Sequence, residues 1–433
     1  MMDPFLRFKR ENARGVLPEL MESTEYNIVP TMAFSQHVQV YALAASFNMR
    51  YLFTGGEDGL VRKYDFQASL NGQGIHMSQR QMQIDTITKS GVLCAYWENE
   101  QPLKKEEYKV DADGTYLPKV SPVYSLQAQS QALWVCAGMA SGDICFQSAT
   151  YGDIGKCMAT LSHHTKPVSD MHLNGAERML LSGSWDKSVA LWDLNRSSPT
   201  SVYDKLSGQV STVRWQPVNG PSISSDSDEM DSLFGSDNDE TEDNSGEPAT
   251  DAKDPSSTDE YESETSTTFL ASTMNGTIHI CDTKQPLPAA SITNSQAPPW
   301  CMSSCWSTDG TYIYAGRRNS TVDWYDIRKL DEPMKVLKFP NNSGAISCVE
   351  IMPNNRSLLC ASFDNIRLFD VSPNAESKTK KTPFSIIPGH HGCVVSRIAV
   401  CPDNKCFVSA CGGRGWMDTQ VDYVLGYEVT SEI

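Results

Sequence analysis

No uninterrupted apolar run in this sequence approaches the ~18 residues of a membrane-spanning helix. The opening stretch, MMDPFLRFKRENARG, carries basic side chains but not the apolar core of a secretory signal. A soluble chain that stays inside the cell is expected, with no membrane partner. Nucleotide-binding loops are also missing: there is no Walker loop and no G-x-G-x-x-G after a strand. No paired carboxylates fall in a plausible cleft, and no basic stripe offers itself to DNA. Cysteine is plentiful at 13 residues. The thiols sit mostly in apolar strand-like runs such as ALWVCAG and SLLCAS, as buried free thiols do, so disulfides are not implied.

The formal charge of −17 looks like a global property and is not one. Residues 222–266 hold 16 Asp/Glu and one Lys, and the rest of the chain holds 37 acidic against 35 basic side chains. A nearly neutral body therefore carries a single polyanionic stretch. That stretch is poor in aliphatics and rich in Ser, Thr, Gly and Pro, so it cannot bury enough apolar surface to order itself and is expected to be disordered when free. Within it, MDSLF at 230–234 sets apolar side chains among acids. Asp228, Glu229, Leu233, Phe234, Asp237, Asp239 and Glu240 are its candidate contact residues for a basic partner surface.

What the chain does have is repetition. MLLSGSWDKSVALWD (179–193) reads as a strand, a tight turn and a second strand closing on an aromatic residue and Asp. The same unit recurs as YLFTGGEDGLVRKYD (51–65), TFLASTMNGTIHICD (268–282), YIYAGRRNSTVDWYD (312–326) and, one residue shorter, SLLCASFDNIRLFD (357–370). A weaker copy is LWVCAGMASGDICFQ (133–147), and a seventh unit runs from GHHGCVV to VLGYEV at 424–429. Asp282 to Asp326 and Asp326 to Asp370 are each 44 residues, and Asp193 to Asp282 is 89, so the acidic stretch is an insertion into a regular array. This is the period of a four-stranded propeller blade. The expected fold is all-β: a seven-bladed WD-repeat β-propeller spanning 25–433, with the acidic insertion in blade 4 and a second insertion at about 73–118 between blades 1 and 2. The chain ends soon after strand c of blade 7, so EYNIVPTMAF (25–34) is expected to supply the missing strand and remove the open edges. Residues 1–24, with basic and apolar side chains interleaved, then form a tail outside the ring.

Several residues imitate chemistry. His164, Ser182 and Asp186 are the ingredients of a hydrolase triad, yet no G-x-S-x-G motif is present. Together with Trp192 they are expected to form a hydrogen-bonded brace that fixes strand register. Cys301 and Cys305 fall four residues apart on one strand, about 13 Å from each other, too far to share an ion. The doublets His163-His164 and His390-His391 invite a zinc reading too, but structural zinc wants four converging ligands, usually as two close pairs, and metal binding is not expected. No catalytic residue, cofactor, metal or small-molecule substrate is expected. Trp215, Trp300, Trp306, Trp324 and Tyr325 are read as packing residues. Arg317, Arg318 and Asn319 in one turn, and Arg414 with Trp416 in the enlarged last turn, are read as exposed contact candidates.

Beyond the repeat, TGGEDGLVRKYDF, GVLCAYWENE, GSWDKSVALWDL, APPWCMSSCWSTDG, YAGRRNSTVDWYDI, MPNNRSLLCASFDNIRLFD and TPFSIIPGHHG closely resemble the WD-repeat subunit family of the fungal SAGA coactivator complex that works with the TATA-binding protein. The resemblance runs from about residue 26 to the end and includes the blade 4 insertion. It implies a nuclear, noncatalytic scaffold that docks on other SAGA subunits and contacts the TATA-binding protein to regulate its delivery to promoters, without sequence-specific DNA binding of its own. Members of that family usually carry a long acidic tail before the propeller, whereas blade 1 begins here within about 50 residues. The competing expectation is a propeller that reads a histone tail or ubiquitin, which requires an aromatic or acidic cage on the turn face.

Overall fold

The computed structural model describes residues 18–23, 25–74, 84–102, 109–110, 113, 116–204, 206–221, 266–296, 298–340, 342–372, 382–413 and 423–431. They form seven antiparallel sheets in a ring, with a two-stranded ribbon of Lys109–Val110 and Tyr116–Leu117 beside it. In each blade a largely buried strand a lines the centre, strands b and c follow outward, and strand d is the fourth, short in most blades. Blade 3 is typical: Val168–Leu173, Met179–Ser184, Val189–Asp193 and Pro199–Tyr203 pair in that order. The turns joining strands a and b lie on one face of the ring, here the a–b face. Those joining b and c lie on the other, the b–c face.

The core sits between blades. Leu181 and Val189 of blade 3 pack with Val210, Val213 and Phe269 of blade 4, and the other interfaces repeat the arrangement. Close packing dictates the small residue near the end of strand b. A Cβ on Gly183 would stand 2.5 Å from Val210 Cγ1, and one on Gly55 2.4 Å from Val123 Cγ1. A second repeated device was not visible in the sequence. Strand a is bulged at its second residue in most blades, at Ser169, Ser211 and Ser396 among them. The bulge turns that hydroxyl toward the next blade. Ser169 Oγ donates to the Val210 carbonyl at 2.6 Å, Ser211 Oγ to Cys301 at 2.5 Å and Ser396 Oγ to Val40 at 2.6 Å. The last of these stitches blade 7 to blade 1.

Ring closure is completed by Tyr26–Ser35, which pairs antiparallel with Tyr423–Ser431 from Tyr26↔Ser431 to Ser35↔Tyr423. Met32 and Phe34 of that strand are fully buried. Lys89–Ser90 then adds in parallel to Tyr26–Ser35, so blade 7 has a fifth strand. This bears on the expected excursion at 73–118. Within it, Val92–Glu98 is the outer strand of blade 1, paired with Leu60–Asp65, and Trp97 is buried against Phe53. The stretch read as surplus is thus partly blade.

Candidate interaction surfaces

Most polar side chains that could be mistaken for a reaction centre are consumed in holding blades together. Trp192 Nε1 donates to Ser182 Oγ at 2.8 Å, Ser182 Oγ lies 2.8 Å from His164 Nε2, and His164 Nδ1 meets Asp186 Oδ2 at 3.2 Å and Ser188 Oγ at 2.9 Å. Burial alone would raise the Asp186 carboxyl, but bonds from His164, Ser188 and the Thr165 amide hold it below the usual carboxylate range. Ser182 and Trp192 are fully buried, so this hydroxyl faces no solvent-borne substrate.

Arg317 corrects the sequence reading. It is not an exposed turn residue but 1% accessible. Its Nε donates to Asp323 Oδ2 at 2.8 Å, its Nη2 to the Tyr325 hydroxyl at 3.4 Å and its Nη1 to the Gly276 carbonyl of blade 4. The physical reason is that Arg317 is the last residue of strand b and turns inward, toward a carboxylate set in the interior of strand c. The telling signal was Asp323, an acid at a buried strand position that needed a cation. Blades 1 and 6 also pair an Arg with an Asp, but with the positions exchanged: Arg62 and Arg367 stand on strand c and meet Asp58 and Asp364 of the b–c turn.

The ring centre carries a charged strut. Asp170 of blade 3, 1% accessible, accepts from Arg214 of blade 4 at 2.9 Å and from Arg397 of blade 7. Burial raises Glu350 of blade 6 above its ordinary range, against the pull of the same two arginines. His172 accepts from the Trp215 amide at 3.1 Å; burial, reinforced by Arg214, pushes its imidazole down to about 3. Two cations thus face two carboxyls and a neutral imidazole, so the centre offers little net charge to a ligand.

On the a–b face the strut is the floor of a funnel of about 680 Å³, rimmed by Trp215, Pro217, Trp306, Pro353 and Pro402. The two indoles lock neighbouring blades, Trp215 Nε1 donating to the His172 carbonyl and Trp306 Nε1 to that of Arg214. The short helix Pro18–Glu22 lies here: the Leu20 carbonyl accepts from Asn404 and from the Tyr26 hydroxyl, and Met21 joins the funnel wall. Part of the segment assigned to an outlying tail therefore packs on the ring. The acidic insertion leaves from the same rim. Gln216 Nε2 bonds both the Pro221 carbonyl, where the described chain breaks off, and the Gly310 carbonyl of blade 5, each at 3.0 Å. Asp228, Glu229, Leu233, Phe234, Asp237, Asp239 and Glu240 lie outside the described residues.

The b–c face carries a different set. Arg318 and Asn319 are exposed, and the Arg318 guanidinium lies 4.5 Å above the Trp300 ring. Trp300 is only half-buried and holds φ at +107°, a strained backbone for an aromatic residue, so it is not the interior packing residue its pattern suggested. Trp324 and Tyr325 are interior, at 2% and 1%. Tyr41, Tyr124 and Trp185 form an aromatic group that sequence reasoning missed, with centroids 5.7 and 5.3 Å apart and the Glu57 carboxylate near Tyr124. Its members come from three blades, so no local motif announced it. Arg414 and Trp416 lie outside the described residues.

A ring of seven sheets, six of four strands and one of five, closed by its N-terminal strand and built on b–c hairpins that mostly end in Asp, defines a WD-repeat β-propeller. The chain belongs to the SPT8 beta propeller family, whose model matches residues 26–430. It is 38% identical over 439 residues to the SAGA complex subunit SPT8 of Saccharomyces cerevisiae, an alignment covering 94% of this chain and 73% of that protein. It is likewise 38% identical over 443 residues to the SAGA complex subunit Spt8 of Schizosaccharomyces pombe, covering 93% and 79%. Shorter similarities reach other propellers, such as 40% identity over 52 residues with the small ribosomal subunit protein RACK1 of Caenorhabditis elegans, 12% of this chain.

Proposed function

We propose that this protein is a noncatalytic interaction subunit of a nuclear SAGA-type coactivator, docking on other SAGA subunits and contacting the TATA-binding protein to regulate its delivery to promoters. The observation that carries the reading is positional. The polyanionic insertion and the N-terminal helix are rooted on one face, around one funnel rim. A basic DNA-binding surface that meets phosphates is also one that a polyanionic segment can engage. The rigid ring fixes the root of the insertion, while the insertion supplies charge.

The test is a binding titration of purified TATA-binding protein against the full chain and against a chain with residues 222–265 replaced by a short Gly-Ser turn. Deletion should weaken binding and flatten its dependence on salt between about 50 and 200 mM. Equal affinity and equal salt slopes for both chains reject the polyanion mechanism. A second reading, recognition of a cationic histone peptide, is favoured specifically by Tyr41, Tyr124 and Trp185 beside Glu57. Lysine-bearing peptides and ubiquitin in the same assay, with Trp185→Ala as the variant, separate the two.

A further inference from the structure

Blade 7 repeats the brace of blade 3 with its oxygen ligands exchanged for sulfur. His390 Nε2 contacts Ser409 Oγ at 2.5 Å, as His164 Nε2 contacts Ser182. The other nitrogen, which in blade 3 meets Asp186 and Ser188, here faces two thiols. Cys411 Sγ is 3.0 Å and Cys393 Sγ 3.4 Å from His390 Nδ1, and the sulfurs lie 2.6 Å from each other. All three side chains are buried, and their donor atoms fall within 4.8 Å of one another. With Ser409 accepting from Nε2–H, the Nδ1 lone pair points at the sulfurs, and a thiol is a weak donor to offer it.

We propose that His390, Cys393 and Cys411 bind a single zinc ion that clamps blade 7 shut. Three features support zinc. Imidazole nitrogen and thiolate sulfur are both donors that this ion takes. The Ser409 bond holds the ring's orientation as outer-shell partners of metal-bound histidines do, and its hydroxyl can accept from Nε2–H when Nδ1 is given to the metal. Charge selects among thiophilic ions: Zn²⁺ entering as two thiol protons leave gives a neutral buried site, whereas a monovalent ion on two thiolates leaves a net negative charge out of water. Two thiolates on one zinc, each at about 2.3 Å, stand wider than 2.6 Å, so uptake spreads the sulfurs by small side-chain rotations. Tyr423 stacks on His390 at 5.0 Å and brings its hydroxyl within reach of Cys393, placing an oxygen donor at the same sulfur. The spacing His-x2-Cys-x17-Cys is not a familiar zinc signature because the third ligand comes from the neighbouring strand. Cys401, Asp403 and Cys406 also cluster, but that group has no imidazole and its carboxylate is engaged by the Lys405 amide and ammonium.

The experiment uses the full chain, purified reduced, offered Zn²⁺, desalted and assayed for metal by mass spectrometry. Wild type and Cys406→Ser should retain one zinc per chain, while Cys393→Ser and Cys411→Ser should lose at least about tenfold, with Ser409→Ala weakened roughly 10- to 100-fold. Because a serine variant can fail to fold, the wild type is also loaded with Co²⁺, whose thiolate charge-transfer absorption reports sulfur ligation without any substitution. Metal-free wild type after loading, zinc unchanged in folded Cys411→Ser, a cobalt spectrum without thiolate bands, or a Cys393–Cys411 disulfide in peptide mapping of the protein as isolated would each overturn the proposal.

Discussion

At the scale of single residues, the fold depends on polar groups that are buried only because each has its partner. Asp170 is the clearest case, since it joins Arg214 to Arg397 across the ring centre. Asp170→Ala leaves two guanidiniums facing each other with Glu350, whose carboxyl burial pushes toward the neutral form, as a weak offset, and should cost about 3–5 kcal/mol, read as a lower urea midpoint. His172 gives a pH test. Its imidazole takes a proton near 6.5 when unfolded and resists until about 3 when folded. Between those values the unfolded state binds more protons, so stability falls as pH drops, by up to about 1.4 kcal/mol per pH unit for this group. Above 6.5 the group contributes no slope. Glu350, shifted upward by burial against the pull of Arg214 and Arg397, acts in the opposite sense above its ordinary range. The expected result is therefore differential: His172→Gln should have a shallower loss of stability than wild type between pH 6.5 and 4, and parallel curves would reject the assignment.

At the scale of elements, what could be read from the sequence followed burial. The b–c hairpins were legible because their strands alternate or run apolar into a turn and end on Asp, as in Met179–Ser184 and Val189–Asp193. Outer strands were not. Pro199–Tyr203 and Phe384–Ile387 each bury a single terminal residue, so they carry no period, and Val92–Glu98 hid in what looked like a polar excursion. Tyr26–Ser35 was the exception because topology demanded it and every second residue is buried. Arg317 was misread for a related reason: one residue separates the end of a strand from its turn, and that residue decides whether the side chain points in or out. Two substitutions test the joints between elements. Gly183→Ala drives a Cβ into Val210 and should cost about 1–3 kcal/mol. Ser396→Ala removes the stitch from blade 7 to Val40 and should cost about 1 kcal/mol. Removing residues 1–35 should be far worse, because it strips Met32 and Phe34 from the core and bares the edge of Tyr423–Ser431. That chain should elute from a sizing column as aggregate, whereas a monomer of native ellipticity would show that the closing strand is dispensable.

At the scale of the whole molecule, charge and stability reside in different parts of the chain, and one variant separates them. Strands Val210–Trp215 and Thr268–Thr273 pair along their length, so the ring holds the two ends of the insertion together whether or not the insertion is there. Closing a loop of that length costs entropy that a short turn does not. By the logarithmic dependence on length, shortening it through about three halvings returns roughly 2 kcal/mol. Replacing 222–265 with a short Gly-Ser turn should therefore raise the thermal midpoint or leave it unchanged, while moving the formal charge from −17 to a body near neutrality. If the insertion works as a polyanionic strap, this more stable chain is the one that loses salt-dependent affinity for a basic partner. A variant that instead unfolds at lower temperature would show that the insertion packs on the funnel rim and helps to hold the ring, and its charge would then have to be tested by neutralising the acids in place, Asp and Glu to Asn and Gln, with the length kept.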